Sequence, residues 1–260
     1  MTFTPYICFG DPNPEFSLML VKAISPFSGP VEIGIPFSDP IADGPAIQGA
    51  SQRALKAGAT PLGAFEFVLA LRSAGVKNDF IFMTYYNIIF SFGPEKFLSR
   101  MKEAGVQGII IPDLPFGEDP EFEKAAAKYG VKIIGLVAQN TLAERALEII
   151  RASEKTNAPF TYLVSSKGTT GARAKAGAES IGFVKSVRKI SGPKAKLFVG
   201  FGISNSEQAK EYLLAGADGV IVGSEIINIY SKFIGSDGRI ESAEAVDAVK
   251  GFVKSIAGAP

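Results

Sequence analysis

Three acidic residues lie close together in the stretch VEIGIPFSDPIADGP, which spans residues 31–45. Glu32 is the one charged residue of an apolar, strand-like run, whereas Asp39 and Asp43 lie in the Pro- and Gly-containing stretch that follows. A carboxylate among apolar side chains has a large desolvation cost unless it is paired, neutral or facing a polar cavity. Burial also raises the pKa of a carboxyl group towards neutrality, where it can both donate and accept a proton. The pattern therefore indicates acid–base chemistry.

Both carboxyl groups also have purely structural explanations. Glu32 can be satisfied by a buried Arg, Lys or Tyr, and the residues alone favour neither explanation. Asp43, in ADGP, also suits a turn or a helix cap. The chain has no His and one Cys, which excludes an internal disulfide and leaves acid–base work to carboxylates, Tyr or Lys. Cys8, in YICFG, is interpreted as a small buried hydrophobic residue.

Three glycine-rich stretches indicate a phosphate site. They are SKGTTGA, GFGIS and the GS pair at Gly223 and Ser224, and each follows a strand-like run. The backbone N–H groups of Gly171, Gly202, Gly223 and Ser224 can converge on one anion, because glycine lets the anion approach closely. Any one of these glycines also fits an ordinary turn, but their occurrence in three successive loops favours a phosphorylated ligand.

The composition narrows the class of protein. The chain has 260 residues, of which 47% are hydrophobic and 20% charged, and its formal net charge is +1. Lys and Arg are scattered among Asp and Glu, so no basic face indicates nucleic acid or an anionic membrane. The apolar stretches are short, and the N-terminus MTFTPYICFGDP lacks the features of a signal peptide. We therefore expect a compact cytoplasmic protein with a small ligand.

The elements that must position these residues form a regular repeat. Segments with amphipathic helical spacing alternate with strand-like runs. The eight runs are PYICFG, VEIGIPF, DFIFMTYY, VQGIIIPD, VKIIGLVA, FTYLVSS, AKLFVGFG and DGVIVGS. Near-continuous apolar strands imply a parallel sheet covered on both faces, and eight units predict an α/β fold, a (β/α)8 TIM barrel. A doubly wound open sheet is the alternative. No linker divides the chain, so we expect a single domain over residues 1–260.

Units two and eight of this repeat carry extra helical segments. PAIQGASQRALKAG precedes a further helix in unit two, and SEIINIYSKFIG precedes the terminal helix in unit eight. In barrels of this kind the ligand lies at the C-terminal ends of the strands, and a short extra helix often holds phosphate with its N-terminus. The segment that begins at Ser224 is in that position.

The run VEIGIPFSDPIADGPAIQGASQRAL resembles the signature of the tryptophan synthase α subunit family. Matches continue, in the family's order, in YICFGDP, MTYYN, PDLP, YLVSSKGTTGA, GFGIS and GVIVGS. The resemblance covers almost the whole chain. It implies cleavage of indole-3-glycerol phosphate to indole and glyceraldehyde 3-phosphate, with no metal or organic cofactor. It also implies a tryptophan synthase β subunit as partner, in an αββα heterotetramer.

The same resemblance implies roles for individual residues. Glu32 and Asp43 correspond to the catalytic acids of the family. The substrate-binding positions are Tyr6, Ile47, Met83, Tyr85, Tyr162, Thr170 and Phe201. The phosphate-binding positions are Gly171, Gly202, Gly223 and Ser224. Asp113, in PDLP, corresponds to a loop residue linked to communication between subunits, although an Asp in a turn at a strand end is the simpler explanation. The chain lacks the helix that bacterial members place before their first strand, and we expect this to affect stability more than chemistry.

Three other functions remain open at this point. The chain can be a standalone indole-3-glycerol phosphate lyase, or another phosphate-binding barrel enzyme such as a sugar-phosphate isomerase or epimerase. Isomerases and epimerases of that kind usually recruit a metal or a His. The chain can also serve mainly as an allosteric partner. Activity of the isolated protein, measured with and without a β subunit, distinguishes these functions.

Overall fold

The computed structural model describes residues 2–165, 177–200 and 202–258. Within these residues all strand pairs are parallel, and the strands follow the order β5-β4-β3-β2-β1-β9-β8-β7-β6. The strands are β1 (Thr2–Cys8), β2 (Val31–Gly34), β3 (Phe80–Met83), β4 (Val106–Ile110), β5 (Lys132–Ile133), β6 (Leu136–Ala138), β7 (Thr161–Val164), β8 (Leu197–Gly200) and β9 (Gly219–Val222).

The sheet closes into a barrel because β5 and β6 are two halves of one strand. β5 pairs with β4, whereas β6 pairs with β7. Between the two halves, the Ile134 N–H donates to the Ile109 carbonyl, and the Tyr162 N–H donates to the Gly135 carbonyl, both at 2.9 Å. The segment 132–138 therefore joins both ends of the sheet, and the nine short strands form eight barrel positions. The (β/α)8 barrel is confirmed, and the open-sheet alternative is wrong.

Helices cover the outside of the barrel. They are α1 (Pro14–Ile24), α2 (Pro45–Lys56), α3 (Pro61–Ser73), α4 (Tyr86–Phe92), α5 (Pro94–Ala104), α6 (Pro120–Tyr129), α7 (Ala143–Lys155), α8 (Ala178–Ser191), α9 (Ser206–Leu214), α10 (Ser224–Ser231) and α11 (Ser242–Ala257). Five of them begin with Pro, whose fixed φ and missing N–H suit the first helical position. The side chains of Asn13, Thr60, Asp119 and Asn205 cap four helices by accepting from an N–H in the first turn.

The extra helices predicted in units two and eight are present as α2 and α10. Unit three also contains two helices, α4 and α5, and the first of these was not predicted. Its sequence, YNIIFSF, is rich in aromatic and β-branched residues, which favour strands. Gly93 separates the two helices. Its φ of +92° is a backbone conformation that residues other than glycine rarely adopt.

Strand register decides which side chains enter the barrel. Glu32 on β2 lies beside Tyr6 on β1 and Ile81 on β3. Its neighbours Val31 and Ile33 are fully buried, and because side chains alternate along a strand they point to the helix layer. This alternation places the one carboxyl group of β2 inside the barrel.

Two further expectations concern the chain as a whole. Cys8 is a buried free cysteine, as predicted. Among the described residues, no single helix has the length and apolar character needed to cross a membrane; α2 and α3 meet those criteria only as a pair, which is bent by 94°.

Candidate active site

A cavity of about 470 Å³, including the part open to solvent, lies at the C-terminal ends of the barrel strands. It brings together residues from both ends of the described chain. Its walls are formed by Tyr6, Glu32, Asp43, Ile47, Met83, Tyr162, Gly202, Ile203, Ile221, Val222, Gly223, Ser224 and Glu225. Nine of these were predicted as site residues. Three other predicted positions, Thr170, Gly171 and Phe201, lie outside the described residues.

Glu32 is almost completely buried, with 1% of its surface exposed. Neither carboxyl oxygen has a hydrogen-bond partner among the described residues. Among the described residues, therefore, no Arg, Lys or Tyr side chain satisfies the Glu32 carboxyl group. Burial, reinforced by the charge of Asp43, raises the pKa of Glu32 to about 8. Glu32 is thus protonated at neutral pH and faces the cavity, so it can act as a proton donor.

Asp43 is held by Tyr85, which lies behind it. The Tyr85 hydroxyl donates to Oδ2 of Asp43 at 2.9 Å and accepts from the Ala42 N–H at 3.0 Å. The Asp43 side chain does not cap α2, whose N-cap is Gly44 with no side-chain capping bond. Burial raises the pKa of Asp43 to about 6, although the hydrogen bond from Tyr85 opposes the rise. Oδ1 has no partner among the described residues, which leaves it available to a ligand.

The two carboxyl groups titrate in a defined order. Asp43 loses its proton first, and its negative charge then makes ionisation of Glu32 harder. Between about pH 6 and pH 8 the favoured state has Asp43 ionised and Glu32 protonated. One cavity therefore contains a proton donor and an anionic acceptor, which is the arrangement that acid–base catalysis requires.

Two tyrosine rings form the polar and aromatic walls of the cavity, and glycines make room for them. A Cβ at Gly34 would overlap the Tyr6 ring, and a Cβ at Gly200 would overlap the Tyr162 ring. At Gly223 an added Cβ would lie 2.9 Å from Cδ1 of Tyr6. These glycines therefore shape the aromatic slot, a role that the sequence pattern did not indicate.

The phosphate-site residues that the structure describes lie on one side of the cavity. Gly223 is the N-cap of α10, and Ser224 is its first residue. Gly202 has φ of +76°, which favours glycine. The N-terminus of a helix attracts anions because its first N–H groups are unpaired and its dipole is positive there. The arrangement thus suits a phosphate group, although Gly171 cannot be placed in it.

Several wall residues were not predicted from the sequence. Ile203, Ile221 and Val222 supply apolar surface, and Glu225 follows directly after the phosphate-site residues. The three apolar residues lie within the predicted motifs GFGIS and GVIVGS, so membership of those motifs was the available signal. Glu225 carried no such signal, because an acid in the first turn of a helix is ordinary.

Asp113 lies outside this cavity wall. Its Oδ1 accepts from the Tyr86 N–H at 2.9 Å, at the start of α4. Tyr86 is the neighbour of Tyr85, so Asp113 supports the segment that holds Asp43. Among the described residues, no group of three or more His, Cys, Asp or Glu side chains is arranged to hold a metal ion.

Comparison with known proteins agrees with this geometry. The family model described as tryptophan synthase alpha chain matches residues 1–256. The tryptophan synthase alpha chain of Methanocaldococcus jannaschii is 45% identical over 242 residues, covering 93% of this chain and 84% of the relative. That of Thermococcus kodakarensis is 44% identical over 228 residues, covering 88% of each chain.

Solved structures agree in the same way. A mutant tryptophan synthase alpha-subunit from Pyrococcus furiosus superposes with a TM-score of 0.87 at 34% identity, over 99% of this chain and 98% of that one. A chain of the tryptophan synthase complex from the same organism gives a TM-score of 0.84 at 34% identity and the same coverage. The chain belongs to the tryptophan synthase alpha chain family.

Proposed function

We propose that this cavity cleaves indole-3-glycerol phosphate to indole and glyceraldehyde 3-phosphate, with Glu32 and Asp43 as its catalytic residues. As a member of its family the chain is a carbon–carbon lyase of tryptophan biosynthesis. One observation carries the assignment of residues. Two buried carboxyl groups line a single cavity, with pKa values raised to about 8 and about 6 and no cationic partner among the described residues.

The first step is proton transfer to the indole ring. Glu32, protonated at neutral pH, donates a proton to C3 of the indole, the carbon that carries the glycerol chain. The ring becomes an indolenine-like cation, which can accept the electrons of the bond about to break. Ionised Asp43 accepts a hydrogen bond or the proton from the indole nitrogen and so stabilises this cation.

The second step breaks the bond between C3 and the first glycerol carbon. Glu32, now a carboxylate, takes the proton from the hydroxyl group on that carbon. The C–O bond becomes the aldehyde of glyceraldehyde 3-phosphate, while the bonding electrons return to the ring. Any proton that Asp43 has taken returns to the indole nitrogen, which restores indole and leaves Asp43 ionised. This retro-aldol step leaves Glu32 protonated again, so the enzyme is ready for another turnover.

Binding is divided between two parts of the cavity. The indole is expected to lie against Tyr6, Ile47 and Met83, with Tyr162 and Phe201 completing the slot and Tyr85 supporting Asp43. The phosphate is expected at the start of α10, on the N–H groups of Gly223 and Ser224 together with Gly202 and Gly171. Thr170 is proposed as a further contact beside Gly171. This division places the scissile bond between the two sites and within reach of the carboxyl groups.

The chain works with a tryptophan synthase β subunit, and a structural neighbour belongs to a tryptophan synthase complex. We propose an αββα heterotetramer located in the cytoplasm, in which this chain acts as one domain and needs no organic cofactor. We also propose that the partner positions Asp43. This residue is joined through Tyr85 to Ala42, on a segment that reaches the surface, since Ile41 is 78% exposed.

Replacement of Glu32 by Gln tests the assignment. Glu32→Gln retains the shape of the side chain but cannot transfer a proton, so kcat should fall about a hundredfold or more. Binding of glycerol 3-phosphate, measured by calorimetry, should remain within a few-fold of the unaltered protein. Glu207→Gln, in the first turn of α9, is the matched control and should leave kcat unchanged. If Glu32→Gln retains a third of normal turnover, Glu32 is not the proton donor.

A further inference from the structure

Asp11 forms a buried ionic cluster that the proposed chemistry does not use. Its side chain is fully buried and accepts three hydrogen bonds. Arg53 donates from Nε to Oδ1 at 2.7 Å and from Nη2 to Oδ2 at 2.8 Å. The Tyr230 hydroxyl also donates to Oδ2, and Nη2 of Arg53 lies 3.3 Å from Oγ of Ser231. We call these four residues, Asp11, Arg53, Tyr230 and Ser231, the Asp11 cluster.

The members of the Asp11 cluster come from three elements. Asp11 lies in the loop between β1 and α1, Arg53 is on α2, and Tyr230 and Ser231 end α10. One carboxyl group therefore joins the extra helix of unit two to the extra helix of unit eight.

Both of these helices begin at the cavity. Asp43 directly precedes the Gly44 N-cap of α2, and the Gln48 side chain of α2 donates to the Asp43 carbonyl at 2.8 Å. Helix α10 begins at Ser224, in the cavity wall. The Asp11 cluster thus joins α2 and α10 well beyond their cavity ends, along helices that rise about 1.5 Å per residue.

A need for stability does not by itself explain the cluster. Burial raises the pKa of Asp11, and the hydrogen bonds from Arg53 and Tyr230 oppose that rise. A buried ion pair of this kind is often no more stabilising than apolar side chains of the same volume. A two-point Arg–carboxylate contact does, however, fix the relative orientation of the groups that it joins. The geometry therefore favours a role in positioning.

We propose that Asp11 is a positioning residue, which sets the separation between Asp43 and the phosphate-binding start of α10. This proposal rests on the proposed function, because that function places the two ends of one substrate at these two points. The substrate must reach both points at once, so an error in their separation weakens productive binding of the whole molecule. Binding of either half alone is unaffected.

The test separates α10 from Asp11 while preserving the packing. In the double variant Tyr230→Phe with Ser231→Ala, α10 loses its side-chain hydrogen bonds to Asp11 and Arg53. The aromatic ring at position 230 keeps its edge contact with Phe16, in which the ring centroids are 5.2 Å apart. We expect kcat/KM for indole-3-glycerol phosphate to fall about tenfold or more. The dissociation constants of indole and of inorganic phosphate, each measured alone by NMR titration, should stay within twofold of the unaltered protein.

A matched control removes a similar ionic contact at the other end of the barrel. Asp218, directly before β9, binds Arg188 at 2.5 Å and the Leu197 N–H at 2.8 Å. Asp218→Asn should lower the melting temperature without changing kcat/KM. Tyr230→Phe alone should give an intermediate loss, because Ser231 still bonds to Arg53.

Two results would overturn the proposal. One is an unchanged kcat/KM in the double variant; the other is a parallel loss of affinity for indole, phosphate and whole substrate, which indicates general damage. A failure of the proposed function is recognised separately, because the unaltered protein with its β subunit would then show no lyase activity.

Discussion

At the scale of single residues, Glu32 combines its proposed catalytic role with a cost in stability. It is 1% exposed and its oxygens have no partner among the described residues, so its neutral form is strongly favoured in the folded chain. The unusual acid in an apolar strand pointed to Glu32, whereas the family resemblance identified Glu32 and Asp43 together. Their order of titration was not predictable, since it depends on how completely the fold buries each group and on the Tyr85 hydrogen bond to Asp43 across 42 positions of sequence.

The activity of the αβ complex should have a bell-shaped dependence on pH. In the proposed mechanism Asp43 must be ionised and Glu32 protonated in the free enzyme, so kcat/KM should fall below about pH 6 and above about pH 8. Tyr85→Phe removes a hydrogen bond that lowers the pKa of Asp43, so the acid limb should move to higher pH while the alkaline limb stays in place. The measurement is kcat/KM from pH 5 to pH 9.5 for both proteins. An acid limb at the same pH in both would show that Tyr85 does not tune Asp43.

The stability of the fold should also respond to Glu32. Its pKa is raised from 4.5 to about 8 on folding, so the unfolded chain releases the proton first as pH rises. The resulting loss of stability is absent below about pH 4.5 and complete above about pH 8. Glu32→Gln lacks this loss, and its unfolding free energy relative to the unaltered protein should increase by about 3–5 kcal/mol between pH 4.5 and pH 9. Urea denaturation of both proteins at the two pH values measures this change. If the unfolding free energies of the two proteins differ by the same amount at both pH values, the prediction is wrong.

At the scale of elements, the strands were predictable and the breaks between elements were not. Each strand is a short apolar run, so its composition indicates burial on both faces. The division of the fifth barrel strand is different, because it lies at Gly135, where a Cβ would overlap Ile149 of α7. That contact joins residues far apart in sequence and leaves no local pattern. Helix α4 was missed because its apolar residues resemble a strand, and only its hydrogen bonds and the turn at Gly93 distinguish it.

Gly200 should be intolerant of even one additional carbon atom. A Cβ there would lie 2.6 Å from Cε1 of Tyr162, so Gly200→Ala must displace the tyrosine ring that lines the cavity. We expect kcat/KM to fall about tenfold or more, because small displacements at an active site are costly. In the control, Gly182→Ala on α8, the added Cβ has no neighbour within 4 Å. That change should stabilise the fold by about 0.5–1 kcal/mol and leave activity unchanged. Normal activity in Gly200→Ala would show that Tyr162 is dispensable.

At the scale of the whole molecule, eight repeats of one unit predicted the barrel, and motif order predicted the family. The family resemblance implied that the loop PFSDPIADGP, which carries Asp43, meets the β subunit, but it did not show which apolar side chains of that face are exposed. In the structure Ile41 and Phe90 are 78% and 67% exposed, on segments that flank Asp43 and Tyr85. Scattered apolar residues are common on protein surfaces. Because Ile41 and Phe90 lie beside the carboxyl group that we propose as catalytic, we expect partner docking on this face to affect the chemistry.

The β subunit should activate this chain by fixing the turn that carries Asp43. Glu32 is held in a strand, whereas Asp43 lies in an irregular segment that is held by hydrogen bonds with Tyr85 and Gln48 and by the stacking of Phe37 on Tyr85. Docking over Ile41 should reduce the motion of that segment and increase kcat. Steady-state cleavage with increasing β subunit measures the effect. Ile41→Ser should require more β subunit for half-maximal activation, while Leu214→Ser, on an 87% exposed residue of α9, should not.

The same coupling must operate in the opposite direction, because linkage between two binding equilibria is reciprocal. If the β subunit increases the affinity for glycerol 3-phosphate by some factor, glycerol 3-phosphate must increase the affinity for the β subunit by the same factor. Asp43→Asn should still bind the partner but gain little activity from it, because the amide cannot accept the proton or stabilise the cation. If the free chain already cleaves its substrate at the saturated rate, Asp43 is fully positioned without the partner, and the chain is a standalone lyase in kinetic terms.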